Sequence, residues 1–345
     1  MPTAQSPVSQ LLERNLALFA GKQLLVAGSI DDDYVLELAH HAASVTLFTS
    51  DYHRYQAWQQ HDTSALCLFG HEFVQQEARF DALLLFMPKA KSEAQYWLAN
   101  LLPHLLPGAQ ILLAGENRGG INSAPKLLAA YCSQCHKLDS ARRCSLIGGQ
   151  LDTEPAPFVA SQWQSHYQLT LGDETLRVVA LPGVFSADGL DDGTRLLLEN
   201  LPPLTGRVLD LGCGAGVIGA MLCKLSPKLQ VEMCDINALA LESARLTLQA
   251  NGLTASVYPS DMLLSVPPGV NHIVTNPPFH AGLNTHYAAT EQMILAAPAK
   301  LAKKGSLLLV ANSFLQYQPF MERAFGTCPV IAENRKFKLY HTFSA

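Results

Sequence analysis

The apolar run His272-Ile273-Val274-Thr275 ends in Asn276-Pro277-Pro278-Phe279-His280. A strand finishing this way puts an amide side chain, two backbone carbonyls and an aromatic ring at one tip. The prolines donate no N–H and hold φ near −65°, so the carbonyls stay free in a stiff, extended turn. Acceptors beside a ring suit a planar amino group. The lone pair of such an amine is delocalised into its ring, which makes it a weak nucleophile. Acceptors around its two hydrogens turn it towards tetrahedral geometry, and a stacked ring holds it in line with an electrophile, where orientation contributes several kcal/mol. The bland alternative is a polyproline turn with a core Phe.

A second constellation lies upstream. Asp210-Leu211-Gly212-Cys213-Gly214-Ala215-Gly216 follows a strand and precedes a helix. Glycines there permit positive φ and close approach of a ligand to the backbone, and helix N-terminal amides face it. Two cofactors fit this spacing. Gly214-Ala215-Gly216-Val217-Ile218-Gly219 satisfies the dinucleotide fingerprint, with Asp235 at a suitable distance for a ribose; S-adenosylmethionine (AdoMet) fits equally. Asp235, at the end of the next strand, can accept from both ribose hydroxyls; its plainer role is a helix cap, which Asn237 can supply alone. Asp261, after the following strand, suits an adenine amino group or merely a turn. Asp210, Gly212, Gly214, Gly216, Asp235, Ile236, Asp261 and Met262 form the expected cofactor-binding set. Asn276, Pro277 and Phe279 form the expected catalytic set. The amine turn favours methyl transfer, because hydride transfer has no use for an amide and two proline carbonyls.

The elements that must position these groups repeat along the chain. In residues 1–150, a helix at Val8–Phe19 and strands at Gln23–Gly28, Ser44–Phe48, Ala82–Phe86 and Ala109–Ala114 alternate with helices at Tyr34–Ala43 and Glu93–Leu102. In residues 151–345 the rhythm recurs: strands at Arg207–Leu211, Leu229–Cys234, Ser256–Tyr258, His272–Thr275 and Ser306–Ala311, helices at Ala215–Leu225, Ala238–Asn251 and around Gln292–Lys303, and a closing pair at Val330–Glu333 and Phe337–Thr342. Alternation of this kind predicts two tandem, doubly wound α/β domains. Gly148–Pro157 breaks the periodicity, so 151–160 is the expected linker, and 161–185 a β-hairpin preamble turning at Gly172-Asp173.

The halves align in order: Leu24–Ser29 with Val208–Cys213, Leu84–Pro88 with Val274–Pro278, and Pro107–Ala114 with Lys304–Ala311. The polar tips do not survive in the first half. Ile30 and Asp32 stand where the second half has Gly214 and Gly216, Thr49 opposite Asp235, and Phe86 opposite Asn276. The first half therefore reads as a degenerate, non-catalytic copy.

The second half resembles class I AdoMet-dependent methyltransferases, and Asn-Pro-Pro-Phe places it among those acting on planar amino groups: adenine-N6, glutamine-N5 and guanine-N2 enzymes. Leu181-Pro182-Gly183-Val184-Phe185-Ser186, Leu190-Asp191-Asp192-Gly193-Thr194, His280, Gly282 and Gly115-Glu116-Asn117-Arg118-Gly119-Gly120 narrow this. With the degenerate N-terminal copy, they resemble the ribosomal RNA small subunit methyltransferase C family over almost the full chain. The resemblance implies two Rossmann-like methyltransferase domains and AdoMet as cofactor. It also implies direct transfer to N2 of a guanine of 16S rRNA (guanine-1207) in the assembled small subunit. Adenine-N6 or glutamine-N5 transfer is the runner-up, and a cofactor-sensing assembly factor without turnover is the alternative of another class.

The whole chain is consistent with a cytoplasmic monomer acting on RNA, not DNA. It has 345 residues, 48% hydrophobic and 15% charged, with net charge −5. No apolar run reaches membrane-spanning length, and the scattered cysteines read as reduced thiols. No global basic field exists; the local excess of cations after Lys300, including Arg335, Lys336 and Lys338, is either a basic patch or a solvated surface. No metal is expected. Cys132-Ser133-Gln134-Cys135-His136 matches a haem-attachment pattern but lies in a stretch read as helical, and a zinc site with Cys144 lacks a second paired cluster. Asp31-Asp32-Asp33 reads as an acidic helix start, His40-His41 as surface and core residues, and Arg142-Arg143 as a weak candidate for phosphate contact.

Overall fold

The computed structural model describes residues 4–75, 77–277 and 283–345, with side chains omitted at 283–287. The chain divides into two compact units, Met1–Trp163 and Gln164–Ala345. The tract 151–160 thus falls within the first unit. Among the described residues no helix is long and apolar enough to cross a membrane.

The first unit contains β1 (Gln23–Gly28), β2 (Ser44–Thr49), β3 (Leu66–Phe69), β4 (Phe80–Phe86), β5 (Leu105–Glu116), β6 (Cys135–Ala141) and β7 (Cys144–Gln150), with helices α1 (Pro7–Glu13), α2 (Tyr52–Trp58), α3 (Lys91–Leu101) and α4 (Ala124–Leu128). The second unit opens with a hairpin, β8 (Ser165–Leu171) and β9 (Glu174–Ala180), and then a sheet of β10 (Arg207–Leu211), β11 (Gln230–Asp235), β12 (Ser256–Pro259), β13 (Val270–Thr275), β14 (Leu301–Asn312), β15 (Val330–Glu333) and β16 (Phe337–Phe343). Its helices are α5 (Asp192–Glu199), α6 (Val217–Leu225), α7 (Ala238–Ala250), α8 (Leu283–Lys300) and α9 (Gln318–Phe325).

The two seven-stranded sheets have one topology. Their orders are β3-β2-β1-β4-β5-β7-β6 and β12-β11-β10-β13-β14-β16-β15. In each, five strands pair in parallel and the last two pairings are antiparallel, so only β7 and β16 run against the rest. Both units are therefore doubly wound, as the alternation predicts. Central strands such as Leu24–Ala27, Leu83–Phe86 and Leu307–Ala311 are buried throughout, because helices cover both faces of a parallel sheet.

Three local expectations need correction. The segment at Tyr34–Ala43 is a 3₁₀ run, Asp33–His40, and the opening helix stops at Glu13 before a short 3₁₀ turn. Cys135–Gln150, part of which reads as helix and part as linker, is an antiparallel hairpin completing the first sheet. Its two-residue turn, Arg142-Arg143, has φ of 50° and 63°, the left-handed geometry that normally selects Asn-Gly, so the sequence carries no turn signal there. Gly148 and Gly149 belong to β7 rather than a linker. A Cβ on Gly148 would lie 2.7 Å from Leu138 Cδ1, and one on Gly149 3.0 Å from Cys132 Sγ.

The β8–β9 hairpin is locked to α7 by side chains four residues apart. Ser243 Oγ accepts from Leu181 N (2.9 Å), Thr247 Oγ1 bonds both Val179 N and Val179 O, and Asn251 bonds both Arg177 N and Arg177 O. Four helical residues advance about 6 Å and two strand residues about 6.7 Å, so the two spacings match. The polar stripe on α7 acts as a neighbouring strand would, and it fixes where the segment 181–191 begins.

Candidate active site

In the second sheet the strand tips lie side by side: Pro259, Asp235, Leu211 and Thr275, on adjacent strands. Crevices outside the carboxyl ends of such strands are where open α/β sheets bind ligands.

The loop between β10 and α6 is held by backbone bonds. Gly212 N and Cys213 N both donate to Cys234 O (2.9 and 3.0 Å). Gly214 N donates to Asp235 Oδ2 (2.9 Å), while Asp235 Oδ1 accepts from Asn237 N (2.9 Å). Gly212, Gly214 and Gly216 have φ of 71°, 52° and 78°. Their surroundings differ. Among the described residues a Cβ on Gly212 would meet nothing within 4 Å and one on Gly214 only Phe185 O at 3.8 Å, whereas one on Gly216 would strike Ala244 Cα at 2.9 Å. Gly212 and Gly214 thus floor an open cradle, and Gly216 lets α6 pack on α7. Gly219 serves packing too, since its Cβ would meet Met233 Cε at 2.4 Å.

Two carboxyls lie under this loop. Asp210 is fully buried; Oδ2 accepts from Gly219 N (2.8 Å), and Oδ1 has no partner among the described residues. Burial pushes its pKa up to about 7, with the Gly219 N–H pulling down and the Asp235 charge adding to the rise. Burial also raises Asp235, opposed by N–H groups of Asn237, Gly214 and Ile236. Oδ2 holds the Gly214 N–H and Oδ1 the Asn237 N–H, and a carboxylate with about four lone pairs retains acceptor capacity beyond its backbone donors. Asp261 and Met262 follow β12, beside the Asp235 tip, where Ser260 N donates to Asp235 O (3.0 Å). Met262, at φ 46°, packs against the core beneath β13 and β14.

Asn276 stands at the end of β13, one strand from the glycine loop. Its Nδ2 donates to Thr194 Oγ1 (2.9 Å) and Asp191 Oδ1 (3.2 Å). A carboxylate only accepts, so the amide must turn its nitrogen to α5 and its oxygen the other way. That oxygen is buried and has no partner among the described residues. An unmet acceptor of this kind costs about 1–3 kcal/mol, which is recovered only when a donor arrives. Pro277 is buried beside it; Phe279 lies outside the described residues.

Asp191 and Thr194 were not legible as site residues. Asp191 also N-caps α5, accepting from Gly193 N (2.9 Å) and Thr194 N (3.1 Å). An Asp-Asp-Gly-Thr helix start explains itself as a cap, and nothing in the sequence ties it to an Asn 85 residues away. Tyr167 on β8 reaches the same neighbourhood: burial, with the Asp191 charge, pushes its phenol up to about 12. No group of His, Cys, Asp or Glu able to hold a metal exists among the described residues.

A doubly wound sheet of this order, a glycine cradle at β10 and an amide acceptor at β13 define a methyltransferase. Residues 175–341 match the methyltransferase small domain model, and residues 9–167 match the methyltransferase small domain N-terminal model. The chain is 53% identical over 340 residues to the ribosomal RNA small subunit methyltransferase C of Aeromonas hydrophila, covering 99% of each, and 46% identical to that of Vibrio vulnificus, covering 98% of this chain and 99% of the relative. It belongs to the ribosomal RNA small subunit methyltransferase C family. A solved structure of the Thermus thermophilus 16S rRNA N2 G1207 methyltransferase, bound to AdoMet and guanosine, superposes with a TM-score of 0.84 at 22% identity, covering 100% of this chain and 94% of that one, and shares its fold.

Proposed function

We propose that the chain transfers a methyl group from AdoMet to the exocyclic N2 of a guanine in 16S rRNA of the small ribosomal subunit, in the cytoplasm. The position named for the Thermus thermophilus relative, G1207, is the nucleotide expected here. The observation carrying this reading is the buried Oδ1 of Asn276, without a partner among the described residues and set one strand from the glycine cradle.

The cradle fits AdoMet. Gly212 and Gly214 admit close contact with their backbone, Asp235 has lone pairs for ribose hydroxyls, and the Asp261–Met262 loop borders the same crevice. AdoMet supplies an electrophilic methyl on a sulfonium. Asn276 Oδ1 accepts from one N2–H and, with the Pro277 carbonyl, aims the nitrogen lone pair along the transfer axis. Phe279 stacks on the base. Asp191 and Thr194 act through Asn276, because they decide which end of the amide faces the amine. The target guanine must leave its stack, at a cost of a few kcal/mol. Transfer is direct and in line, with no covalent intermediate.

The test is methyl transfer from labelled AdoMet to undermethylated small subunits, free 16S rRNA, DNA and release factor, followed by nucleoside and peptide analysis. N2-methylguanosine from small subunits is expected. N6-methyladenosine or methylglutamine as the product would overturn the substrate assignment.

A further inference from the structure

The loop after β14 exposes a phenyl ring. Phe314 is 63% accessible and lies at the end of the sheet that carries Asn276. Beside it is the β15–β16 turn, whose Asn334 Oδ1 accepts from Lys336 N (2.9 Å) and Phe337 N (2.8 Å). Ser313 N donates to Lys336 O (2.7 Å), so Phe314 and Arg335 each sit one residue beyond this bond. Arg335 and Lys336 are exposed.

One carboxylate contacts this corner and another lies nearby in the ladder. Asp192 pairs with Lys336 Nζ at 3.1 Å, both side chains being largely exposed, a geometry that contributes little and yields readily. Glu333 stands across the ladder from Lys338. Arg335 makes no ion pair among the described residues. The corner is continuous with the amine site: Lys336 contacts Asp192 at the start of α5, and the adjacent Asp191, with Thr194, holds Asn276.

We propose that Phe314, Arg335 and Lys336 dock the single-stranded RNA segment that carries the target guanine. The base of a flanking nucleotide stacks on Phe314, and the adjoining phosphate lies against Arg335 and Lys336. This rests on the RNA methylation reading above. Unstacking a guanine strips its neighbours of a stacking partner, and an exposed aromatic ring replaces one without sequence preference. The internal repeat supports the corner independently. In the first unit Asn117 N donates to Arg143 O (2.8 Å), the counterpart of the Ser313–Lys336 bond, and Arg118, Arg142 and Arg143 are exposed there. That copy keeps Gly28 in the place of Gly212 but has lost the counterparts of Gly214 and Gly216 and the amide tip, yet it kept a basic corner stitched in the same way. The aromatic ring occurs only where the amine acceptor does.

The test is fluorescence anisotropy of the full-length chain, saturated with S-adenosylhomocysteine, against a labelled single-stranded oligoribonucleotide containing one guanine. Phe314→Ala should weaken binding about tenfold or more, and Phe314→Trp should restore it. Arg335→Ala with Lys336→Ala should lower the slope of log affinity against log salt by roughly one to one and a half. S-adenosylhomocysteine affinity, measured in parallel, should stay within twofold for these variants. Oligonucleotide binding that is absent in the parent chain, or unchanged in both variants, overturns the proposal. Loss confined to assembled subunits, with free RNA binding intact, overturns it in favour of a ribosomal protein partner. Were the parent chain to methylate no RNA, the functional reading would fall while the titration still scored this surface.

Discussion

The two units share one sheet topology and differ at its tips. In the second unit the chain leaving β10 bonds towards β11, through Gly212 N and Cys213 N to Cys234 O, and the cradle stays open. In the first unit the chain leaving β1 bonds towards β4, with Ser29 N donating to Phe86 O (3.1 Å), so it hooks over the strand that would present an amide. Ile30, in the place of Gly214, is buried in the core. Asp32, in the place of Gly216, accepts from Gln5 N, Ser6 N, Ser9 Oγ and Tyr34 N; its carboxylate is committed to fastening α1. A cleft of about 440 Å³ persists at these tips, lined by Asp31, Glu93 and Glu116 among others. Burial raises the pKa of Asp31 and of Glu93. The strand pattern alone maintains the sheet, so loops are free to lose or acquire chemistry without disturbing it.

Variants that make one unit like the other break this comparison most sharply. Asn276→Ala, which removes the acceptor as Phe86 does in the first unit, should lower kcat by roughly 10²–10³-fold, the scale of losing one preorganised polar group. AdoMet affinity should stay near the parent value by calorimetry; an equal loss of affinity would make Asn276 a cofactor residue. Asp235→Thr grafts the residue of the first unit, where Thr49 Oγ1 accepts from Asp51 N (3.0 Å) just as Asp235 Oδ1 does from Asn237 N. The turn survives and the second carboxylate oxygen is lost. AdoMet binding should weaken by roughly 10–100-fold, or about 1.5–3 kcal/mol, and unchanged binding would remove Asp235 from the cofactor set.

Asp191→Asn separates positioning from capping. Asn caps a helix as well as Asp, so Tm should move little, while its amide can present a donor to Asn276 and release the orientation of Oδ1. A fall in kcat of roughly tenfold at unchanged Tm is expected; a parallel loss of Tm and kcat would reduce Asp191 to a cap.

Asp210 gives a pH test. Its folded-state pKa of about 7 lies above the ordinary 3.8, so folding takes up a proton between those values. The associated stability is complete below about 4 and is lost as pH rises through about 7. Asp210→Asn should flatten that slope, with a difference between pH 5 and 8 of roughly 2–4 kcal/mol, read as Tm against pH. A slope shared by both proteins would place the titrating group elsewhere. The smallest effect is expected in the first unit. Arg142→Asn with Arg143→Gly supplies the residues that the left-handed turn prefers. It should raise stability by a few tenths of a kcal/mol to about 1 kcal/mol, while weakening RNA binding by less than Phe314→Ala does.

The legible parts of this molecule were those written in local patterns. Arg207–Leu211 and Val330–Glu333 coincide with their expected strands, and the glycine loop and Asn276 tip fall where their flanking apolar runs put them. The β6–β7 hairpin was hidden because two arginines occupy positive φ without a signal, and because close packing rather than a turn explains Gly148 and Gly149. Asp191 was hidden because its hydrogen bond to Asn276 is a product of tertiary structure. Ser243, Thr247 and Asn251 recur at four-residue spacing, a signal that could have been read: a polar stripe on a helix otherwise buried at Ala240, Leu241, Ala244 and Leu248 needs a partner.

That stripe has a bearing on how the protein behaves at high concentration. An open strand edge is a template on which another chain can add, and edge-to-edge pairing is a common start of aggregation. Along β9 and at the residue after it, the outward N–H groups of Arg177, Val179 and Leu181 are already taken by Asn251, Thr247 and Ser243 of α7 and its C-cap. The hairpin is thereby closed to recruitment along that side without a charge, a proline or a bulge, and the same contacts that seat the segment above the cradle also keep it from adding a stranger's strand.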